Sequence, residues 1–95
     1  MDVRFTVKAE DDSLDSDTYG TTRFGRAQAD RYEQGLRHAI SLIAETPRLA
    51  PERTEFVPPV RIHSHGSHAI VYLIRDDHIL IVRILRADAD MARHL

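Results

Sequence analysis

The sequence contains no cysteine, which excludes disulfide bonds, thiolate zinc ligands and a cysteine nucleophile. It also has no long hydrophobic run, since the longest apolar segments are residues 69–74 and 79–82. Both are much shorter than the roughly 20 residues that cross a bilayer, and no basic start precedes an apolar stretch. We therefore expect neither a membrane span nor a signal peptide, and the cytoplasm is the favoured compartment.

A strong positive charge is missing as well. Lys8 is the single lysine, and 13 Lys and Arg residues against 15 Asp and Glu residues give a formal net charge of −2. Such a chain lacks the basic field of proteins that bind nucleic acid mainly by neutralising phosphates, so a protein partner is favoured. The first twenty residues are distinctly acidic, with six acidic and two basic side chains.

The 95 residues hold apolar material for one core, so we predict a single domain over residues 1–95. The alternation of Val3, Phe5 and Val7 with polar residues predicts a short, half-buried strand. Residues 10–22 are rich in Asp, Ser and Thr and contain Gly20. Because those side chains compete with helical hydrogen bonding, we expect a short, poorly formed helix or a mobile loop there.

The clearest helical pattern lies between Arg23 and Glu45, where apolar residues recur three and four positions apart. The members of this stripe are Ala29, Tyr32, Leu36, Ala39, Ile40 and Ile43. The pattern predicts a helix of about 20 residues that follows Gly25 and ends before Pro47. We assign Tyr32, Leu36, Ile40 and Ile43 to the core rather than to a partner surface.

The C-terminal half has the pattern of a loop followed by strands. Residues 49–59 hold three of the four prolines and predict a connecting loop, and residues 60–63 predict a strand. The continuous apolar runs 69–74 and 79–85, separated by a polar turn, predict a β-hairpin. Because neither run alternates, we expect the long helix to cover one face and an external segment to cover the other. Residues 88–95 predict a final helical turn or a tail.

Three histidines form the most metal-like cluster of the sequence. His63 and His65 are two residues apart, which places both imidazoles on one face of a strand, and His68 follows closely. No carboxylate lies inside the cluster, however, and Gly66 and Ser67 indicate a turn. A polar hairpin loop is therefore the favoured interpretation.

Arg83 is the most conspicuous charged residue of the strands. A period of two places it on the same face as Ile79, Ile81 and Leu85, and a buried guanidinium there needs an acceptor. That acceptor is either an acid of the same chain or a ligand. Arg61, at the head of a neighbouring strand, could share this surface and complete an anion-accepting pair.

Several short motifs, in order and at similar spacing, resemble the ParE branch of the RelE/ParE toxin superfamily. The motifs are Arg23-Phe24-Gly25 with Gln28-Ala29 and Tyr32, then Pro47, Arg61, Ile70-Val71-Tyr72, Asp77-His78-Ile79, Arg83-Ile84-Leu85-Arg86, Asp90-Met91 and His94-Leu95. The resemblance covers most of the chain. It implies an α+β fold with an N-terminal strand and a helical hairpin packed on a mainly antiparallel sheet of about four strands.

The resemblance also implies a function. Such proteins are toxins of bacterial type II toxin–antitoxin systems that inhibit DNA gyrase without catalysis and are neutralised by a ParD-like antitoxin. A toxin–antitoxin hetero-oligomer is expected, with operator DNA contacted only through the antitoxin, and no catalytic residue, cofactor or metal is expected. The residues expected at the target surface are Arg61, Arg83, Arg86, Met91, Arg93 and His94.

Two alternatives stay open at this stage. A RelE-like mRNA endonuclease that cuts on the ribosome would hold phosphate with Arg61 and Arg83 and use His63, His65 or His94 as base. The net charge of −2 and the single lysine favour the ParE-like function over this one. A degenerate toxin that only binds antitoxin is the other alternative, because polar residues interrupt the apolar stripe of the first helix.

Arg86 also stands where many relatives carry His, so a role assigned to that position in the family does not transfer directly to Arg86.

Overall fold

The computed structural model describes residues 1–95 and has the expected α+β architecture. The elements are β1 (Asp2–Phe5), α1 (Val7–Phe24), α2 (Arg26–Glu45), a 3₁₀ turn (Pro47–Leu49), β2 (Glu52–Arg53), β3 (Val60–His65), β4 (His68–Ile74), β5 (His78–Arg86) and α3 (Met91–His94). Neither long helix is apolar enough over a sufficient length to cross a membrane.

The sheet has five strands in the order β1-β5-β4-β3-β2, one more than expected. Strand β1 pairs in parallel with β5, and the other three pairings are antiparallel. The additional strand is β2, which contributes only two residues at one edge. The prediction of a mainly antiparallel sheet beside an N-terminal helical hairpin is confirmed.

Helix α1 is longer and better formed than the sequence pattern predicts. It begins after Thr6, whose hydroxyl accepts a hydrogen bond from the backbone N–H of Ala9 and so caps the helix. The strand predicted to reach Val7 therefore ends at Phe5. Gly20 does not interrupt the helix, which is continuous from Val7 to Phe24. Gly20 faces Ala29 of α2, and an added Cβ would make an ordinary van der Waals contact of 3.5 Å with Cβ of Ala29.

Helix α2 confirms the clearest sequence prediction. It begins directly after Gly25, whose φ of +88° suits glycine, and it ends at Thr46, before Pro47. Its buried residues are Ala29, Leu36, Ala39 and Ile43, and Ile40 packs against the same core. Tyr32 is only half-buried, because it extends toward the β3–β4 turn rather than into the core.

Apolar residues cover both faces of the sheet, but the chain provides both covers itself. The main core lies between the helices and the sheet and includes Tyr72 and Ile43. On the opposite face Val71 and Leu85 are buried under residues that include Phe56 and Met91. The expected external segment is therefore not needed for this face, since the 54–59 loop and the C-terminal turn lie over it.

A β-bulge in β5 changes the face on which Arg83 lies. Tyr72 pairs with Ile81 but its neighbour Val71 pairs with Arg83, so Val82 is an extra residue in β5. Ile79 and Ile81 face the helices, whereas Arg83 is registered with Val71 of the opposite face. The predicted common face of Arg83 with Ile79 and Ile81 is therefore wrong, because the bulge shifts the period of two by one residue. The predicted common face of Arg83 with Leu85 is confirmed, since their partners Val71 and Ala69 are two residues apart in β4.

Helix α1 takes the place of a strand along the second half of β5. Strand β1 ends opposite Ile81, and beyond it the hydroxyl of Thr6 donates to the carbonyl oxygen of Val82. The carboxylate of Asp12 then accepts from the backbone N–H of Ile84 at 3.0 Å and from two nitrogens of Arg83 at 2.8 and 2.9 Å. These contacts satisfy an otherwise open strand edge.

The pKa of Asp12 reflects these contacts. Burial by itself would raise it, but the hydrogen bonds from Arg83 and Ile84 and the charge of Arg83 outweigh burial and lower the pKa below 3.8. The hydrogen bonds with Asp12 and the charge of its carboxylate raise the pKa of Arg83, although burial opposes them. The pair is therefore charged at neutral pH and holds α1 against β5.

We predict that Asp12→Ala destabilises the protein by about 2–4 kcal/mol, because Arg83 and the Ile84 N–H lose their partner while staying largely buried. Asp11→Ala is the matched control, since Asp11 is exposed on the same helix. That control is expected to change stability by less than about 0.5 kcal/mol. Urea denaturation of the two variants measures the difference, and equal effects would contradict the assigned role of Asp12.

A second prediction concerns acid. Because the folded-state pKa of Asp12 is depressed, its contribution to stability is present above its unfolded pKa and is lost as pH falls through the folded pKa. Asp12→Asn is therefore expected to be less stable than the unchanged protein at about pH 7 and to approach it at about pH 3. Denaturant midpoints at the two pH values provide the measurement, and a constant gap would show that the carboxylate charge plays no part.

Candidate functional site

A groove of about 830 Å³ separates α1 and the start of α2 from the C-terminal end of the sheet. Its helical wall is one face of α1, because Asp12, Asp15, Ser16 and Tyr19 recur three and four residues apart. Ile84 and Leu85 of β5 form part of the floor, and residues 86–89 with His94 form the other side. The contact of Asp12 with β5 lies at the base of this groove.

One end of the groove is aromatic and exposed. The rings of Tyr19 and Phe24 meet edge to face with centroids 6.4 Å apart, and each residue is more than half exposed. Exposed aromatic side chains beside an apolar floor are typical of surfaces that bind another protein. This end of the groove is therefore suited to an apolar side chain of a partner.

The charges of the groove are uneven. Asp12 is neutralised by Arg83, and Arg86 lies 3.3 Å from Asp88 in an exposed pair. Asp15 also lines the groove but makes no salt bridge. The helical wall therefore carries one uncompensated carboxylate, whereas the opposite side carries a weakly paired arginine, because exposed ion pairs contribute little.

Tyr32 connects the groove to the histidine cluster. Its hydroxyl lies within hydrogen-bond distance of Nδ1 of His68 and 3.2 Å from the carbonyl oxygen of His65. Both imidazole rings lie against the tyrosine ring, with centroids 5.4 and 5.5 Å away. Burial, the charge of Arg86 and the nearby His65 lower the pKa of His68, and Asp12 partly opposes them.

His65 and His68, on either side of the β3–β4 turn, both pack against Tyr32 of α2. His63 and His65 lie on one face of β3, as predicted, and the ring of His65 approaches Gly35 of α2. The carboxyl groups that converge within 4.8 Å are instead those of Asp17, Asp30 and Glu33, on the two helices. Arg26 lies 3.5 and 3.3 Å from Asp17 and Asp30, so the protein itself supplies a cation there.

The six residues expected at the target surface do not all come together. Arg86, Arg93 and His94 are exposed near the C-terminus. Met91 is partly buried against the apolar cluster of Val60, Val71 and Leu85. His94 and Arg86 also line the groove. Arg83 lines a second, smaller cavity together with His94, whereas Arg61 lies apart from these residues, in β3.

Arg61 and Arg83 do not form the expected anion-accepting pair. Arg61 is registered with Tyr72 and Arg83 with Val71, and adjacent residues of β4 face opposite sides of the sheet. The guanidinium of Arg61 donates to the carbonyl oxygen of Ala50 at 2.6 Å, and Arg83 binds Asp12. Their shared surface, inferred from strand period alone, is wrong.

Sequence reasoning missed the groove residues of α1, namely Asp12, Asp15 and Tyr19. A usable signal is present in their spacing of three and four residues, which predicts that they share one helix face. The abundance of Asp, Ser and Thr in this segment concealed that spacing, because local propensity argued against a helix.

Comparison with known proteins identifies the class. The family model described as "ParE toxin of type II toxin-antitoxin system, parDE" matches residues 3–91, and the chain belongs to this family. A protein named Toxin ParE1 from Mycobacterium tuberculosis (strain H37Rv) is 35% identical over 74 residues, which cover 77% of this chain and 76% of that protein. Toxin ParE1 of Caulobacter vibrioides is 29% identical over 92 residues, or 97% and 95% of the two chains.

A solved structure shows the same fold. A chain of the "Chromosomal ParDE TA system from P. aeruginosa" superposes with a TM-score of 0.78 at 20% sequence identity. The match covers 93% of this chain and 97% of that one. The arrangement of helical hairpin and sheet is thus shared with a chain of a ParDE system.

The charge of Arg86 provides a test of the electrostatics of the groove. We predict that Arg86→Gln raises the pKa of His68, because one of the nearby positive charges that disfavour the imidazolium is removed. Arg93→Gln removes an exposed arginine of α3 and is expected to leave the pKa of His68 unchanged. NMR titration of the His68 ring resonances measures both, and a pKa that falls or stays the same in Arg86→Gln would contradict the described geometry.

Proposed function

We propose that this protein acts in the cytoplasm as a non-catalytic inhibitor of DNA gyrase and is neutralised by a ParD-like antitoxin. Membership of the ParE toxin family supports the toxin–antitoxin role. The observation that carries the proposal is that the groove and the exposed C-terminal surface share Arg86 and His94. A partner seated in the groove would cover part of the surface assigned to the target.

The C-terminal surface suits binding to gyrase. Arg86, Arg93 and His94 are exposed, and Arg86 has only an exposed ion pair to retain it. Exposed arginines can form forked contacts with carboxylates or phosphates of a protein–DNA complex. Met91 supports this surface by packing against the sheet. Arg61 and Arg83 are already engaged within the fold, and we assign them to its support rather than to direct contact.

The antitoxin would act by occupying the groove. The exposed pair Tyr19 and Phe24 offers apolar contact area, and Arg86 and His94 lie across the groove from it. An antitoxin segment that fills this space excludes gyrase from both charged residues. Inhibition and neutralisation then compete for one part of the molecule, in a toxin–antitoxin hetero-oligomer that contacts operator DNA through the antitoxin.

The geometry gives less support to the alternative of an mRNA endonuclease. Such an enzyme needs a cation at the scissile phosphate together with a general base and a general acid. Arg61 and Arg83 are registered with residues of opposite sheet faces, and each donates to an acceptor of the chain itself. His65, one of the three candidate bases, packs against the ring of Tyr32. The two arginines assigned to phosphate binding therefore do not converge on one substrate position.

A supercoiling assay with purified gyrase tests the proposal. The protein is expected to inhibit supercoiling and to leave DNA cleaved by gyrase, and added antitoxin is expected to restore supercoiling. Arg93→Ala combined with His94→Ala is expected to raise the half-inhibitory concentration about tenfold, equivalent to about 1.4 kcal/mol of binding. Arg31→Ala, which removes an exposed arginine of α2, serves as the control and should retain full inhibition.

Unimpaired supercoiling at a large excess of the protein would overturn gyrase inhibition. Two further readouts separate the alternatives. Cuts at defined codon positions in translated mRNA, mapped by primer extension, would indicate a ribosome-dependent nuclease. Unchanged growth on induction without antitoxin, together with retained antitoxin binding, would indicate a degenerate toxin.

A further inference from the structure

We propose that Asp15 and Tyr19 form a recognition site for an arginine side chain of the antitoxin, and that this contact selects the partner. The inference rests on the proposed function, because it assumes that the antitoxin docks in the groove. It specifies that the docked segment carries an arginine and that this arginine lies beside Asp15 and Tyr19.

The groove contains one acidic residue, Asp15, that has no counter-charge. Asp12 has Arg83 as its partner, and Asp88 has Arg86, whereas Asp15 lines the same groove without a salt bridge. The rest of α1 does not compensate the charge of Asp15, since this helix holds five acidic residues against Lys8 and Arg23. A bound segment that covered Asp15 with an apolar or acidic side chain would leave a carboxylate without a counter-charge, which costs free energy.

An exposed aromatic residue shares the helix face of Asp15. Tyr19 follows Asp15 by four residues and therefore lies one helical turn away on the same face. Its ring is 55% exposed and lines the groove beside the ring of Phe24. A carboxylate beside an exposed aromatic ring matches a guanidinium, which can form a forked ion pair with the acid and stack on the ring.

The opposite side of the groove gives the segment a direction. Arg86 and His68 are paired across β4 and β5, and both line the groove opposite the acidic wall of α1. A docked segment with its cation toward α1 satisfies Asp15, whereas a reversed segment places that cation next to Arg86. Like charges brought together disfavour the reversed orientation. The groove therefore favours one orientation of an amphipathic segment with an apolar side toward Phe24 and Leu85.

The test measures the affinity of the full chain for its cognate ParD-like antitoxin, by titration calorimetry at low and high salt. Asp15→Asn is expected to weaken binding about tenfold and to reduce its salt dependence, because one ion pair is lost. Asp11→Asn is the matched control, since Asp11 is exposed on α1 but does not line the groove. It is expected to bind like the unchanged protein.

Variants of Tyr19 test the stacking component. Tyr19→Phe keeps the ring and is expected to retain affinity, whereas Tyr19→Leu removes the ring and is expected to weaken binding several-fold. A charge exchange identifies the partner residue: Asp15→Arg should lose affinity and regain it when one arginine of the antitoxin is changed to Glu. Asp15 and Tyr19 are both exposed positions of α1, so circular dichroism should show an intact fold for variants at either residue.

The outcomes separate this inference from the proposed function. If Phe24→Ala weakens binding while Asp15→Asn binds like Asp11→Asn, the groove is the docking site but the arginine recognition is wrong. If Tyr19→Leu and Asp15→Asn both weaken binding and no arginine exchange restores it, a cation other than arginine is recognised and the inference fails in that respect. If the antitoxin does not bind the unchanged chain, the proposed neutralisation fails and the inference fails with it.

Discussion

The contact of Asp12 with β5 is the interaction on which the rest of this structure depends. One carboxylate accepts two hydrogen bonds from Arg83 and one from the backbone of Ile84. It thereby closes the strand edge that β1 leaves open and fixes a polar helix to the sheet. The β-bulge at Val82 belongs to the same arrangement, because it places Arg83 and the Ile84 N–H where one acid can reach both. Without this anchor α1 would have little apolar surface to hold it, since Ala9 is its only buried residue.

The anchor also decides which charged groups are available to partners. Only 15% of the Arg83 side chain is exposed, and its guanidinium is engaged by Asp12 within the chain. Asp15, one turn further along α1, is left exposed and unpaired in the groove. The helix that the anchor fixes thus presents an acidic wall, and the C-terminal residues present Arg86 and His94 across from it. A toxin of this family with net charge −2 therefore has a local separation of charge that the total value hides.

Sequence patterns predicted helix α2 correctly but misjudged α1 and the face of Arg83. The stripe of α2 was enough to place that helix and its core residues, because amphipathic spacing reflects burial directly. The same reasoning failed for α1, where Asp, Ser and Thr lower helix propensity but Thr6 and Asp12 use their side chains to cap the helix and bind the sheet. It failed for Arg83 as well, because one extra residue in β5 moves the Arg83 side chain to the opposite face of the sheet. No local sequence signal predicts this bulge. The helical wall of the groove, to which α1 contributes six of the 16 lining residues, could be predicted only with α1 known to be helical.

The sequence by itself determined the class of fold, the long helix, the hairpin strands and the resemblance to ParE toxins, because these follow from periodicity and ordered motifs along the chain. The tertiary structure decided the partners of the charged residues. It assigned Arg83 to Asp12 across 71 positions of sequence, placed Arg61 on the carbonyl of Ala50, and left Asp15 free beside Tyr19. It also supplied the second cover of the sheet from the 54–59 loop and the C-terminal turn. The physical reason is that ion pairing and face assignment depend on three-dimensional register, which a single bulge or helix cap can change without altering the hydrophobic pattern.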